Sequence, residues 1–584
     1  MASALKVTAC VSDGSVLLAF DMPQPDKTFA GFAIQCFPKG EEPYYLPNRL
    51  SFTHSVSKDT TPEQRPWTTS DKAPFQKFYW MHFPSTAETI KQYDYEVTAM
   101  YFQSGFGLKK GASDRVTVNL ADFSSEYANF TPGFTRGYLS SQAYATGFHN
   151  APIRPDKKSM AFDTKPFEKQ WEWLGYSARK LVFDFMNECL HDKSLHVDLF
   201  AYDLDEPDFI QGILQLGKEK RLRAFLDDAP LHTKAGAIEP QARKAITSAA
   251  GASNVVSGHF NRFAHCKVMI QRRNGKPVKV LTGSANFSIR GLYVQANNVI
   301  VINDPKTANE YGQVFDQAFS LQQKAGKSSI ATAFSKLPLA SQYFDCSGHG
   351  LPDFKVAFSP HANPAVSMKE VADAIKNAKS SVIFAVMELQ GGGSVLQQLS
   401  TLNKRKDIFS YGMTQHAAKA AGGKGTPGVT LFSPGSDQHG EFATFAYLTK
   451  DVPKPFQAEY SGGMGQVIHD KFVVVDFNGD NPVVFTGSSN LADGGEKANG
   501  DNLLAIRDRD IAIGYAVEGI RLVDHYHFRM MKQQAGSGGI TLQGPGAGKK
   551  LWWQPYYDKN DAKCQERLLF STELNPKKSK EVAA

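Results

Sequence analysis

Two stretches of the chain carry the same polar residues at the same spacing. In Val467–Asn490, VIHDKFVVVDFNGDNPVVFTGSSN, His469 and Lys471 open a run rich in Val and Phe, and Ser488 and Asn490 close the next. At a constant offset of 204, His265 stands for His469, Lys267 for Lys471, Ser284 for Ser488 and Asn286 for Asn490. The correspondence runs without a gap over His265–Asp304 and His469–Asp508, taking in Asn274-Gly275, Thr282-Gly283, Gly291 and Asn298. One HxK or one GSxN is a weak signal. Both together, twice and in register, mark a duplicated unit that has kept its polar residues.

Those residue types suit a phosphodiester. An imidazole titrates near neutrality and serves as nucleophile or as acid and base. Ammonium, amide and hydroxyl groups supply charge and donors where negative charge builds on the non-bridging oxygens. The catalytic candidates are therefore His265, Lys267, His469 and Lys471, with Ser284, Asn286, Ser488 and Asn490 binding phosphate. One copy supplies half a mechanism. Two copies facing each other supply a nucleophile on one side and a proton donor for the leaving oxygen on the other. No metal or other cofactor is expected, because a Lys two residues from each His repels a cation and neither motif gathers carboxylates or cysteines at ligand spacing.

To place these groups, Val467–Asp476 must be a strand, Asn478-Gly479 a tight turn and Val483–Thr486 the return strand. Residues i and i+2 share a strand face, so His469 and Lys471 point together while Asp476 lies on the other face and ends the strand. Arg272 holds that place in the first copy. A second asymmetry sets Asp501 against Asn297. If that position reaches the far nitrogen of its own imidazole, His469 gains a carboxylate and becomes the stronger base, and His265 gains only an amide.

Around the motifs, the 584 residues predict several domains. Residues 1–122 alternate as an all-β sandwich, with runs such as Lys6–Val11 and Ser15–Phe20. Residues 123–335 and 350–530 alternate strands with amphipathic helices: LHVDLFAYDL (195–204), a helix over 208–219, RLRAFLDD (221–228), FKVAFSP (354–360), a helix over 368–379, then SVIFAVMEL. The stretch 325–352 reads as a connector. Residues 531–584 are a Gly- and Pro-rich segment with the aromatic LWWQPYY (551–557) and a Lys/Ser/Glu tail expected to be disordered.

Apolar residues at 42% and charged residues at 21% describe a globular protein. A net charge of +7 suits anionic partners, although a solvated surface explains it as well. The six cysteines show no CxxC and no ligand spacing, so a disulfide framework is not indicated. No signal peptide or membrane-spanning run is seen, which predicts a cytoplasmic monomer with peripheral membrane contact left open.

The paired motifs resemble the phospholipase D superfamily, marked by HxK, an Asp, then GSxN. The second copy matches at His469, Lys471, Asp476, Gly487, Ser488 and Asn490; the first departs at Arg272. The resemblance implies an α/β fold of two phospholipase D-like lobes related by pseudo-twofold symmetry, here preceded by the small sandwich. Tyr93–Phe102 (YDYEVTAMYF) resembles a fibronectin type III strand with its tyrosine corner. Implied too is metal-independent cleavage through a covalent phosphohistidine, with His265 commonly the nucleophile; Asp501, from the asymmetry above, and Asp476 are the supporting candidates.

The substrate is expected to be a phospholipid head group, with LWWQPYY and the insert Gly422–Gly465 as lipid-facing features; packing of LWWQPYY against the second lobe explains it equally well. The alternative is a nuclease, for which Arg272-Arg273 and Lys404-Arg405-Lys406 are the basic clusters. A cardiolipin-synthase-like role is disfavoured by the lack of spanning segments. An inert binding protein, using the sandwich to meet an unidentified partner, is the reading from another class.

Overall fold

Alternation in the first residues gives strands Lys6–Ser12 and Ser15–Asp21, which pair antiparallel from Lys6 opposite Asp21 to Ser12 opposite Ser15. The computed structural model describes residues 5–572 except 58, 61–63, 65–66, 126, 138–143, 145–146, 158, 235, 388–391, 417–426, 433–440, 445–467 and 547–549. The terminal Lys/Ser/Glu tail, Val467 and most of the 422–465 insert lie outside the described residues. The chain divides into two compact units.

One unit takes the chain up to Phe123, the turn Asp476–Asp480 and the chain from Met531 onward. Tyr79–His82 joins the first two strands, and a second antiparallel sheet holds Tyr44–Tyr45, Phe29–Pro38, Gln92–Phe102 and Leu108–Asn119. Leu18 and Phe20 of one sheet and Phe32, Ile34, Tyr95 and Val97 of the other share one hydrophobic core. The Tyr93 hydroxyl donates to the Ile90 carbonyl at 3.1 Å. LWWQPYY belongs here rather than on the second lobe or at a lipid surface. Trp553 and Tyr556 are buried in the same core, Phe78 and Tyr556 lie 4.7 Å apart, and Val56 and Ile540 exchange two backbone hydrogen bonds of 2.9 Å. Rings of this size contribute most when removed from water, and this core removes them.

The other unit is mixed α/β, built on two larger sheets. Among the described residues one runs Phe130–Phe134, Asn298–Ile302, Lys276–Gly283, Val268–Arg273, Leu195–Ala201, Leu222–Asp227, Val255–Gly258. The other runs Tyr343–Asp345, Asp353–Ser359, Asp501–Arg507, Val483–Gly487, Phe472–Val475, Ser381–Val386, Phe409–His416, Pro427–Phe432, Glu441–Thr444. Leaving out Tyr343–Asp345, the first six strands of each sheet correspond in order and direction. Four successive antiparallel pairings are followed by one parallel pairing. The stretch 325–352 is more than a connector, since Tyr343–Asp345 covers the sheet edge at Asp353–Ser359.

Two boundaries differ from the sequence reading. The strand from Leu195 stops at Ala201, which frees Tyr202 and Asp203 to turn at its end. The strand expected over 467–476 is paired only at Phe472–Val475. His469 instead gives its backbone N–H to the Ala296 carbonyl of the other sheet's half, at 3.1 Å. No described helix is long and apolar enough to cross a membrane. All six cysteines are buried and unpaired.

Candidate active site

Each HxK stands just before an inner strand, Val268–Arg273 or Phe472–Val475, and each GSxN just after the strand that returns. Gly283 and Gly487 have φ of 141° and 142°. A Cβ on either would lie 2.4 Å from a carbonyl oxygen, that of Asn298 or Asn502. Glycine is required at both turns for conformation and for space. The next serine then caps the following strand's start: Ser284 and Ser488 Oγ each accept from the backbone N–H of Asn298 and Asn502 at 3.0 Å.

The two halves meet here. Ala264 bridges Gly500, and Ala296 bridges Ile468. Thr282 Oγ1 donates to Asn502 Oδ1 at 3.1 Å, and Thr486 Oγ1 to Asn298 Oδ1 at 3.4 Å. His265, Lys267, His469, Lys471, Ser284, Asn286, Ser488 and Asp501 are all buried together. Asn490 is half-buried. Asp476 ends its strand with a φ of 51° and clusters with the other compact unit.

The meeting exchanges the histidines' partners. His265 Nδ1 donates to Asp501 Oδ1 at 2.7 Å. His469 Nδ1 donates to Asn297 Oδ1 at 2.9 Å and lies 3.1 Å from the Ser284 carbonyl. The expectation that Asp501 serves His469 is therefore wrong. Gly500 is paired to the residue before His265, so Asp501 is carried across to the opposite histidine. In both rings Nδ1 holds the proton and Nε2 keeps its lone pair.

Lys267 donates to the His265 carbonyl, and Lys471 to the His469 carbonyl at 2.8 Å. Among the described residues neither ammonium has a carboxylate within salt-bridge distance. Burial pushes Lys267 down to about 8, and burial together with Lys267 holds Lys471 well below its usual range. Burial and the neighbouring lysine lower both histidines, His469 the more deeply. Asp501 and Asp203 act on both lysines from beyond salt-bridge distance and offset only part of the burial cost, so an anion bound beside them would favour their charged forms.

Arg272 lies away from this cluster. It binds Asp198 and Asp316, and Arg223 binds the same two carboxylates at 2.8 and 2.7 Å. Three residues were not singled out from sequence: Asp203 and Asp227 at the strand ends, and His232 in the short helix Pro230–Thr233. Their signal was the acidic turn after each parallel strand, AYDLD and FLDD. Asp203, His232 and Glu239 bring ligand atoms within 4.8 Å of one another, the one such group found among the described residues. His232 spends both nitrogens on carboxylates, which leaves no lone pair for a cation.

Residues 186–319 match the family model described as cardiolipin synthase, PLD-like domain, a span that contains the first motif. No curated protein matches the chain. Among solved structures, NUC of Salmonella typhimurium, a phospholipase D family member, is 21% identical over 24% of this chain and 87% of its own, with a TM-score of 0.20. Phosphatidylserine synthase of Haemophilus influenzae is 12% identical over 60% and 84%, with a TM-score of 0.39. Yeast tyrosyl-DNA phosphodiesterase is 12% identical over 55% and 84%, with a TM-score of 0.28. The family match supports hydrolytic, phosphodiesterase-type activity at the level of the superfamily.

Proposed function

We propose that the chain is a phosphodiesterase that works through a covalent phosphohistidine between two phospholipase D-like halves related by pseudo-twofold symmetry. The observation that carries this reading is the pair of buried lysines, Lys267 and Lys471, beside two histidines whose Nδ1 atoms are bonded and whose Nε2 atoms keep their lone pairs. His265 Nε2 attacks phosphorus as the P–O bond to the leaving alcohol breaks. Binding of the anionic diester draws a proton from solvent onto His469 Nε2. His469 gives it to the leaving oxygen, then takes one from the water whose oxygen attacks phosphorus as the P–N bond breaks. Asp501 stabilises the cationic phosphorylated ring, and neutral Asn297 leaves protonated His469 a readier acid. Asn286, Ser488 and Asn490 complete the phosphate's shell, and no metal takes part. Ser284 Oγ instead donates to Asn297 Oδ1 at 2.8 Å and braces the amide behind His469. The N-terminal unit fits a fibronectin III-like sandwich, supported by the Tyr93 bond to Ile90.

Nucleic acid is the favoured substrate, ahead of a phospholipid head group. The aromatic segment expected to face lipid does not do so, since Trp553 and Tyr556 are buried in a core. Two basic cues have a structural use: Arg272 binds Asp198, and Arg405 pairs with Asp407. The net charge of +7 remains in favour. The family description names a synthase, yet the match stops at residue 319, before the second histidine.

Turnover of bis(p-nitrophenyl) phosphate with and without chelator tests the chemistry. No turnover would leave an inert binding protein, and complete loss with chelator would overturn the metal-free route. Single-stranded DNA, duplex DNA and phosphatidylcholine vesicles, assayed in parallel, test the substrate. Cleavage of vesicles alone would return the site to lipid.

A further inference from the structure

Asp203 and Asp227 follow or end two adjacent parallel strands, Leu195–Ala201 and Leu222–Asp227, and belong to neither motif. The ring of His232, 1% exposed, lies between them. Its Nε2 donates to Asp203 Oδ1 at 2.6 Å and its Nδ1 to Asp227 Oδ1 at 2.8 Å. Ionised carboxylates only accept, so both ring nitrogens carry protons and the ring is a cation. Each carboxylate then spends its second oxygen on the first motif. Asp203 Oδ2 accepts from Asn286 Nδ2 at 2.8 Å, and Asp227 Oδ2 accepts from the backbone N–H of Ala264, next to His265, at 2.6 Å. The Tyr202 ring meets His232 at 4.4 Å and His265 at 4.8 Å, with Lys267 Nζ 4.7 Å over its face.

We infer that His232 is a positioning residue, a fixed cation that holds the Asp203 and Asp227 carboxylates in place and through them sets the Asn286 amide and the backbone entering His265. This rests on the phosphodiesterase reading of the site. An amide can turn over and exchange its oxygen for its nitrogen. Here it cannot, because turning would aim Asn286 Oδ1 at a carboxylate. With Nδ2 fixed, one N–H is committed to Asp203 and the other is left for the phosphate.

The charges around the ring agree. Burial opposes protonation, yet the bonds to Asp203 and Asp227 raise His232 to about 9. Glu239 and Arg243, on the helix Glu239–Ala250, line the same small cavity, and Lys267 and Arg290 act on Asp203 from the motif side. Burial, with Asp205 and Asp203 nearby, pushes Glu239 up to about 7, so it is partly neutral where His232 is charged. At the matching place in the second motif the backbone N–H of Ile468 is accepted by the neutral Gln415 Oε1 at 3.2 Å.

Two measurements on the full chain test the clamp. Nitrogen-15 shifts of the His232 ring should show both nitrogens protonated at pH 7.5, about one unit above the usual histidine range. A neutral ring there would overturn the inference whether or not the protein turns over substrate. Replacing His232→Gln should lower kcat on bis(p-nitrophenyl) phosphate by about 10- to 100-fold and move KM by less than about threefold. In an Asn286→Ala background the same change should cost at least about threefold less than it does alone, since one of its two routes is already cut. Full multiplication of the two losses would make His232 a structural staple and sink the idea. If His232→Gln does not fold, Asp203→Asn in the same cycle, together with the ring shifts, decides it. Absence of turnover in the unaltered chain would count against the phosphodiesterase reading and leave the ring shifts to judge the clamp.

Discussion

The two halves of the site present the same side chains to the space between them and rest on different ones behind. His265 leans on Asp501, and the backbone before it on Asp227. His469 leans on Asn297, and the backbone before it on Gln415. Each carboxylate of the first half is an amide in the second, at positions that correspond in the two sheets. A nucleophile benefits from a carboxylate, which supports the positive charge of the phosphorylated ring. A proton donor benefits from a neutral partner, which holds the ring's orientation without holding its proton. In the proposed mechanism the duplicated front row makes the site, and the unequal second row divides the labour.

Removing the rings tests that division most severely. His265→Asn and His469→Asn should each cut steady-state turnover of a natural diester by about 10⁴-fold or more, as when one member of a catalytic unit is lost. They should differ with a p-nitrophenyl ester, whose leaving group needs no proton. His469→Asn then accumulates alkali-stable phosphoenzyme, and His265→Asn forms none. Label trapped in His265→Asn and absent from His469→Asn would reverse the roles.

The second row comes next in size. Asp501→Asn should lower kcat by about 10²- to 10⁴-fold, in the range seen when the carboxylate behind a catalytic histidine becomes an amide. Asn297→Asp should matter less, within about tenfold, because its carboxylate holds the proton that His469 must deliver. Equal losses in both variants would remove the asymmetry.

The front row was legible because chemistry and periodicity coincide there. His, Lys, Ser and Asn recur at one spacing, and the glycine before each serine is fixed by a backbone no other residue fits. The second row was legible only as a difference between Asp501 and Asn297, and its direction was misread. A repeat aligned to itself says which residues correspond, not which half they serve. That follows from the bridges of Ala264 to Gly500 and Ala296 to Ile468, contacts between residues more than 170 positions apart. LWWQPYY was misplaced for a related reason: its rings are buried by strands from the far end of the chain.

The lysines give a smaller effect with a defined sign. Below about pH 8 Lys267 is an ammonium, and above it the charge is lost. Since kcat/KM reports the free enzyme's groups, it should fall on the alkaline side of pH 8 by up to about tenfold per unit. Lys267→Arg keeps its charge and should abolish that limb. Stability moves the other way. The folded-state value lies below the usual 10.5, so charged Lys267 disfavours folding below about pH 8, and that penalty is relieved between about 8 and 10.5. Thermal melts that rise across this window in the absence of substrate would agree; a flat melting profile would argue that Lys267 is already paired.

Arg272 marks the point where the two halves differ without consequence for the chemistry. The superfamily pattern places an Asp there, as Asp476 does in the second half, yet Arg272 joins Arg223 in holding Asp198 and Asp316. Asp198 is 2% exposed and would keep Arg223 if Arg272 were lost. Arg272→Met should therefore cost about 1–3 kcal/mol of stability, the range for a hydrogen bond to a buried charge, and leave kcat within about twofold. Arg272→Asp copies the residue at the matching place of the second half, Asp476, and should destabilise more, by setting a third carboxylate against two that already share one cation fewer. If Arg272→Asp instead raised kcat, the position would act on the histidine after all, and the first motif would have to be read as impaired rather than differently braced.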